Sequence, residues 1–317
     1  MNFEPNEDLV TFLTAVERIT ARHGASWTPG NARYQFSRQL EHELEESGFF
    51  ACVHEDSLGL VAATAMVSEL SKLSVCAEIS ASSLIGPLIC PDFPRPLAII
   101  WGNPKRPTRF LPVARTVLLV GNEAVSVAVM KDGDAANMES VFAYPMGMLK
   151  APDELHWKRV GGEHVGRIRD LWRLGVSAEI SGCLQSGLDA VVSHVTERRQ
   201  FGRPLGSFQG VQHRLAAAAS AIQAARWLTL KAAHTGTALD AATAAGFAQG
   251  ISTKIVYDLH QFMGAMGLTL EHPLHRWTYR VKLLRSDLGG AERHFQDVAE
   301  LAWADARVTD GPKLLGS

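Results

Sequence analysis

Residues 196–209 join two stretches of helical periodicity and read TERRQFGRPLGSFQ. The first stretch ends on Arg198 and Arg199, a turn with glycine and proline follows, and Gln209 lies at the start of the second stretch. A guanidinium at such a position can bind a phosphate through two parallel hydrogen bonds, and the nearby ring of Phe201 can stack on a planar group. The simpler interpretation is a helix–turn–helix with exposed arginines.

The apolar residues on either side of this turn follow the spacing of helices. Before it they mark one face from Ile168 to Val195, and after it they recur at intervals of three and four from Phe208 to Ala232. Further helices are expected from Leu239 to Met266 and beyond Pro273. Long helices joined by short loops are typical of a bundle, which we expect to occupy residues 161–317.

The rest of the chain divides at a run of prolines. Residues 1–90 have a helical pattern, with one long helix expected from Val61 to Ile85, and prolines at 87, 91, 94 and 96 end it. Residues 91–160 contain short apolar runs separated by turn signals, which predict a reduced β domain. The expected strands are Leu97–Trp101, Thr116–Val120 and Val125–Met130. The predicted fold is mainly α with a small β insert: an N-terminal helical domain, a short middle β domain and a C-terminal helical bundle.

Composition and charge exclude several classes of protein. The chain of 317 residues has a formal net charge of −2, whereas nucleic-acid-binding domains are usually basic, so no nucleic acid is expected. Its longest apolar runs are far shorter than the roughly 20 residues of a membrane-spanning helix. Four scattered cysteines without C-x-x-C spacing and an acidic N-terminus without a signal-peptide pattern favour a cytoplasmic protein.

Two histidines, His272 and His275, raise the question of a metal site. The intervening Pro273 prevents a regular helical pair of ligands, and no carboxylate or thiol cluster completes a coordination shell. We therefore expect no metal and interpret both histidines as surface or capping residues. The glycine-rich phosphate loops of Rossmann and P-loop proteins are also absent from the sequence.

Three motifs together resemble those of the acyl-CoA dehydrogenase family, in that family's order and spacing. Arg198–Gln209 is similar to its R-x-x-F-G…F-Q signature. Gln261–Gly267, followed by Glu271–Leu274, resembles its Q-x-x-G-G-x-G…E-x-P run, and Asp170–Arg173 resembles a D-x-x-R near the acyl-CoA site. The resemblance covers residues 166–285, and before them only the order of the predicted domains supports it.

The resemblance implies a flavoenzyme in which one subunit contacts the FAD of its neighbour. It also implies that the D-x-x-R residues Asp170 and Arg173 bind the acyl-CoA substrate. At position 265 the family prefers glycine, so the alanine there is a mild departure. The residues implied to contact FAD are Arg198, Phe201, Gln209, Gln261, Gly264 and Ala265.

The sequence departs from the family at the catalytic base, the glutamate that removes the α-proton of the thioester. One family position of this glutamate falls on Leu288 and the other on Trp172, and neither side chain can accept a proton. Asp287 and Asp170 lie one and two residues away and are the candidates for a displaced base. A shift of one or two residues rotates a helical side chain by roughly 100–200°, so this replacement is not automatic. The family's T-E-P-x-x-G-S-D-like flavin-binding stretch has no counterpart in residues 80–100.

With these departures, the sequence resembles the short, glutamate-lacking chain of actinobacterial steroid-degrading acyl-CoA dehydrogenases. Those enzymes form α2β2 heterotetramers. The resemblance then implies FAD that is shared with or supplied to a second acyl-CoA dehydrogenase chain carrying the catalytic glutamate. It further implies a bulky, steroid-derived acyl-CoA as substrate. Two alternatives stay open: a helical scaffold or acyl-CoA-binding partner without flavin, and a homomeric dehydrogenase that uses Asp170 or Asp287 as its base.

Overall fold

The N-terminal part of the chain is helical in the computed structural model, which describes residues 5–24 and 32–309, with side chains up to residue 304. Ser37 caps the second helix by accepting a hydrogen bond from the backbone N–H of Leu40 at 3.2 Å. The helices of this part are α1 (Glu7–Gly24), α2 (Arg38–Glu46), α3 (Gly59–Leu70), α4 (Ser80–Leu84) and α5 (Gly86–Ile89).

The single long helix expected from Val61 to Ile85 is wrong, because α3 ends at Leu70. The chain leaves the helix to bind a distant arginine: the carbonyl oxygens of Leu73 and Ser74 accept hydrogen bonds from Arg280 at 2.7 and 2.8 Å. Carbonyls that stayed in a helix would instead accept from the next turn.

Seven short strands form two sheets between residues 97 and 159. A four-stranded sheet has the order β1-β3-β4-β7, with β1 parallel to β3 and the other pairs antiparallel; an antiparallel three-stranded sheet has the order β2-β6-β5. The first strands are β1 (Leu97–Trp101), β2 (Thr108–Arg109), β3 (Thr116–Val120) and β4 (Val125–Val129), and they are followed by β5 (Ala135–Met138), β6 (Met146–Leu149) and β7 (Lys158–Arg159). The three expected strands are confirmed, with β4 ending one residue earlier.

The two faces of β1 enter different cores. Leu97 and Ile99 pack into the main core that continues into the helices. Ala98 and Ile100 pack into a smaller core that contains residues of both sheets. Because both faces are buried, the strand is a continuous apolar run rather than an alternating one.

The C-terminal helices form a bundle around α6. Residues 171–184 of this helix are all buried, so it is enclosed on every side instead of presenting the single apolar face expected from the sequence. Gly236, at φ +66°, ends α7, and α8 stops at Met263 rather than at Met266. The helices are α6 (His164–Glu197), α7 (Gln209–Thr235), α8 (Ala238–Met263), α9 (Leu274–Leu284) and α10 (Gly290–Thr309).

The predicted fold class, mainly helical with a small β insert and a C-terminal bundle, is confirmed. The domain limits at 90 and 160 stay a prediction. Within the residues described, no helix combines the length and the apolar character that crossing a membrane requires.

Candidate functional site

The segment after α6 forms a two-stranded hairpin, β8 (Arg199–Gln200) and β9 (Arg203–Pro204). Phe201 and Gly202 form its turn, and both have positive φ, +55° and +82°. A left-handed phenylalanine costs backbone energy, so the surrounding hairpin rather than local preference sets the backbone conformation of Phe201. The Phe201 side chain is 86% exposed, which leaves the ring free to stack on a bound molecule.

Arg198 is held by its backbone while its side chain stays exposed. Its N–H donates to the carbonyl of His194, and its own carbonyl accepts from the N–H of Leu205, both at 2.8 Å. The other two arginines of the segment have contacts within it: Arg199 donates to the carbonyl of Gly202 at 3.5 Å, and Arg203 lies 3.9 Å from the ring centre of Phe208.

The second motif lies at the same end of the bundle. The antiparallel helices α7 and α8 place Gln209, at the start of one, beside the end of the other. Arg214 of α7 forms an ion pair with Asp258 of α8 and lies 4.6 Å from the ring centre of Phe262. Although burial raises the pKa of Asp258, its hydrogen bonds from Arg214 and Lys254 are stronger and lower it, so the two helices are joined by an ionised pair.

Gly264 ends α8 in a conformation that favours glycine, with φ +67° and ψ −148°. A Cβ on this residue would have no neighbour within 4 Å, so a ligand can approach its backbone closely. By contrast, a Cβ on Gly267 would lie 2.9 Å from the Cβ of Met263, which fixes the following turn against α8. We call the exposed residues at this end the bundle-end patch: Arg198, Phe201, Gln209, Gln261, Gly264 and Ala265.

The bundle-end patch fits a flavin dinucleotide. It offers an exposed guanidinium for a phosphate, an exposed ring for stacking, two exposed amides for hydrogen bonds, and a glycine that admits close approach. All six residues are exposed at this end of the bundle.

The two positions expected for the catalytic base, the buried Trp172 and the partly buried Leu288, meet at Asp287. Trp172 donates from its indole Nε1 to Asp287 Oδ2 at 2.9 Å, and the N–H of Leu288 donates to Asp287 Oδ1 at 3.1 Å. Burial raises the pKa of Asp287, while Arg109 and the Trp172 hydrogen bond act against that rise. Asp287 therefore serves as the acceptor that holds both residues in place.

A cluster of buried polar side chains lies beside this place and was not predicted from the sequence. Arg109 donates two hydrogen bonds to Glu179, at 2.7 and 2.8 Å, and its guanidinium lies 4.7 Å from the ring centre of Trp172. Tyr144 and Ser80 donate to the same carboxylate at 2.6 and 2.5 Å. We call Ser80, Arg109, Tyr144 and Glu179 the Glu179 cluster.

The Glu179 cluster keeps its carboxylate charged. Burial alone would raise the pKa of Glu179, but Arg109 and the hydrogen bonds from Ser80 and Tyr144 lower it overall. The cavity between the cluster and Asp287 has a volume of about 70 Å³. This volume is well below the roughly 300–1,000 Å³ of small-molecule binding sites, so the cavity does not fit an acyl thioester.

Arg173 bonds to Asp170 and to residues of α10 rather than to a group in a cavity. Arg173 is 3% exposed, donates to Asp170 at 3.0 Å, and forms a second ion pair with Asp297. Its Nε donates to His294 Nδ1 at 3.3 Å. Burial raises the pKa of Asp170, and Arg173 opposes the rise. Substrate binding by Asp170 and Arg173 stays a prediction, since all three guanidinium nitrogens already bond within the chain.

The two histidines near Pro273 have structural contacts. His272 is a capping residue as expected, because its Nδ1 accepts from the N–H of Leu274 at 3.1 Å. The expectation for His275 as a surface residue is wrong: it is 2% exposed, and its Nδ1 donates to the carbonyl of His272 at 2.8 Å. Within the described part of the chain, no group of three or more His, Cys, Asp or Glu residues is arranged to hold a metal ion.

Residues 170–302 match the family model for the acyl-CoA dehydrogenase C-terminal domain. Acyl-CoA dehydrogenase FadE34 of Mycobacterium tuberculosis is 34% identical over 162 residues, and this match spans 49% of the present chain but only 22% of FadE34.

Two solved structures share the fold over nearly their whole length. The crystal structure of the ChsE4–ChsE5 complex from Mycobacterium tuberculosis superposes with a TM-score of 0.79 at 21% identity, covering 95% of this chain and 99% of the matched chain. A Tcur3481–Tcur3483 steroid ACAD variant superposes with a TM-score of 0.75 at 20% identity, with the same coverage. The chain has the acyl-CoA dehydrogenase fold, and residues 170–302 match the C-terminal domain of that family.

Proposed function

We propose that this chain is a subunit of a heteromeric, FAD-dependent acyl-CoA dehydrogenase and contacts FAD in trans through the bundle-end patch. One contrast carries the proposal. The residues suited to a neighbour's flavin are exposed, whereas Trp172 and Leu288 stand at the positions of the chain's own base and both donate to Asp287. The adjoining 70 Å³ cavity is too small for a substrate.

Each patch residue has a separate role toward the cofactor. FAD, when bound, accepts the hydride from the β-carbon of the acyl thioester. Arg198 binds a phosphate, Phe201 stacks on a ring, and Gln209 and Gln261 supply amide hydrogen bonds. Gly264 and Ala265 leave room beside the backbone. None of these side chains removes a proton, so the base comes from another chain.

The partner is a second acyl-CoA dehydrogenase chain that carries the catalytic glutamate, in an α2β2 assembly. One structural relative is the ChsE4–ChsE5 complex, and another is named for two chains, Tcur3481 and Tcur3483. The second relative is a steroid ACAD, which supports a bulky, steroid-derived acyl-CoA as the substrate of this assembly.

A homomeric enzyme with Asp287 as its base is the second candidate. Its support is that Asp287 borders a cavity and that burial raises the pKa of Asp287. The size of that cavity and the two hydrogen bonds to its carboxylate argue against catalysis there. A scaffold without flavin would have no use for an exposed guanidinium beside an exposed ring.

The flavin spectrum distinguishes the three candidates. The chain is purified alone and after co-expression with an acyl-CoA dehydrogenase chain that carries the catalytic glutamate. A colourless chain that becomes part of a yellow, active complex supports the proposal. A yellow and active chain on its own supports the homomeric enzyme, and a stable complex without flavin supports the scaffold.

A matched pair of variants then tests the patch. Arg198→Ala removes the proposed phosphate contact, which as a charge-assisted hydrogen bond contributes about 1.5–3 kcal/mol, so we expect roughly ten- to hundredfold weaker retention of FAD by the complex. Arg199→Ala removes the same charge from the next residue, whose guanidinium faces Gly202, and should retain FAD. Equal flavin occupancy in both variants would refute the assignment of Arg198.

A further inference from the structure

A groove of about 660 Å³ lies between α2 and the middle strands, outside the sites described above. Its floor includes Pro94 to Pro96, at the start of β1, whereas the cavity at Asp287 borders Trp101, at the end of the same strand. One wall is α2, and the other includes Arg115 and the segment Met130–Gly133. The groove is therefore separate from the bundle-end patch and from the Glu179 cluster.

The side chain of Arg95 is held in this groove by two contacts, and one of its nitrogen donors has no hydrogen-bond partner among the residues described. Its guanidinium carbon lies 3.8 Å from the ring centre of Phe50, and its Nη2 lies 2.7 Å from Glu45 Oε1. These two contacts set the plane of the guanidinium. Its Nη1 is buried and has no hydrogen-bond partner among the residues described. A buried donor without a partner is costly, which makes it a marker of a missing acceptor.

Glu41, on the α2 wall, also has a buried oxygen, Oε1, without a described partner. Burial raises its pKa to about 8, aided by Glu78 and Glu45 and opposed by Arg95 and Arg38. At neutral pH the carboxyl is therefore mostly protonated, so it can donate a hydrogen bond instead of repelling an anion.

Four cationic side chains line the groove, together with the carboxyl groups of Glu41, Glu45 and Asp132. Besides Arg95, the cations are Arg38, Arg115 and Lys131, and the three are exposed at its rim. The lining also includes the carboxylate of Asp132, while Glu45 is already paired with Arg95. His42, also in the lining, pairs with Glu46 at 3.2 Å. A fixed guanidinium within a cationic rim suits a phosphate group better than a neutral ligand.

We propose that this groove binds the diphosphate of a nucleoside diphosphate, with Arg95 as the central ligand. The volume is within the range of small-molecule sites and accommodates a nucleotide. Arg38, Arg115 and Lys131 surround the diphosphate at the rim. Phe36 and Met130, which also line the groove, offer apolar surface to the base.

Isothermal titration of the full chain with ADP tests this site directly. We expect one ADP per chain, at least about tenfold weaker binding by Arg95→Gln, and unchanged binding by Arg18→Gln, an exposed α1 arginine outside the groove. Should Arg95→Gln fail to fold, the rim variant Arg115→Gln/Lys131→Gln provides the same test, with binding expected to weaken severalfold.

Two further titrations identify what the groove recognises. Pyrophosphate should bind at the same site, and adenosine should bind much more weakly than ADP. The proposal is overturned if ADP does not bind at about 1 mM, if Arg95→Gln and the rim variant bind as wild type, or if adenosine binds as tightly as ADP. Loss of ADP binding in Arg198→Ala alone would also overturn it, since the nucleotide would then occupy the bundle-end patch.

Discussion

Glu179→Ala tests how the interior of this chain is stabilised. Glu179 accepts two hydrogen bonds from Arg109 and one each from Tyr144 and Ser80. The substitution leaves the guanidinium of Arg109, a residue 7% exposed, without its counter-ion. Removing one partner of a buried ion pair costs about 3–5 kcal/mol, and we expect that loss in the free energy of unfolding.

Removing both charges should be far less harmful. Arg109→Met/Glu179→Met replaces the pair with apolar side chains of similar volume, an exchange that is often neutral or stabilising. Tyr144 and Ser80 still lose an acceptor, so we expect the double variant to lie about 1–2 kcal/mol below the wild type. It should nevertheless be at least about 2 kcal/mol more stable than Glu179→Ala.

The assay is urea unfolding followed by circular dichroism, with m-values compared to confirm that the same surface unfolds. Glu46→Ala serves as the control, because the exposed pair of Glu46 with His42 contributes at most about 1 kcal/mol. The reasoning is refuted if the double variant is as unstable as Glu179→Ala, or if Glu179→Ala loses no more than Glu46→Ala.

The pH dependence of the stability difference between wild type and a further variant, Glu179→Gln, has a defined sign. The folded-state pKa of Glu179 is lowered, despite its burial, by Arg109 and by hydrogen bonds. Its contribution is therefore complete above the ordinary glutamate pKa of about 4.3 and is lost as the pH falls through the lower folded-state value. The stability difference between wild type and Glu179→Gln should be constant from about pH 7 to 5 and shrink below about pH 4.

The remaining predictions concern three single residues. Phe201→Gly relieves a positive φ, so the isolated chain should gain about 1 kcal/mol in unfolding free energy while its complex retains less flavin in a filtration assay. Asp287→Asn should leave the steady-state turnover of the complex within about twofold of wild type, because an amide oxygen still accepts from Trp172; abolished turnover would identify Asp287 as the base. Burial and Arg173 lower the pKa of His294 to about 4. The free energy of unfolding of the wild type should therefore fall from about pH 6.5 toward pH 4, because the unfolded chain takes up a proton in this range. His294→Gln should flatten that slope in acid titrations, and an unchanged slope would contradict the assignment.

Periodicity predicted the parts of the fold in which local pattern and burial agree. The strands Leu97–Trp101 and Thr116–Val120 have the predicted bounds, since apolar runs of this length fit a strand buried on both faces. The pattern failed between Leu70 and Ser80, where three- and four-residue spacing continues but the backbone turns to meet Arg280. That partner lies about 200 residues away along the chain, so no local window contains it.

The candidate site shows the same division. Motif resemblance selected residues that the structure places together at one exposed end, Arg198 beside the hairpin and Gln261 near the end of α8. It missed the Glu179 cluster, because a single acid among apolar neighbours has no sequence signature for its partner. Glu179, between Ala178 and Ile180, was nevertheless a detectable signal, since an acid on a fully buried helix requires a counter-ion.

The length of α6 gives the Glu179 cluster an effect at a distance. Glu179 and Arg198 are separated by nineteen residues, about 29 Å along a helix axis. A rotation of α6 by about 5° around Glu179 would displace Arg198 by about 2.5 Å, close to a whole hydrogen-bond length. Because α6 is long, a small change of packing at Glu179 produces a large change in the position of Arg198. Cofactor affinity in the assembly should consequently depend on core residues that never approach the cofactor.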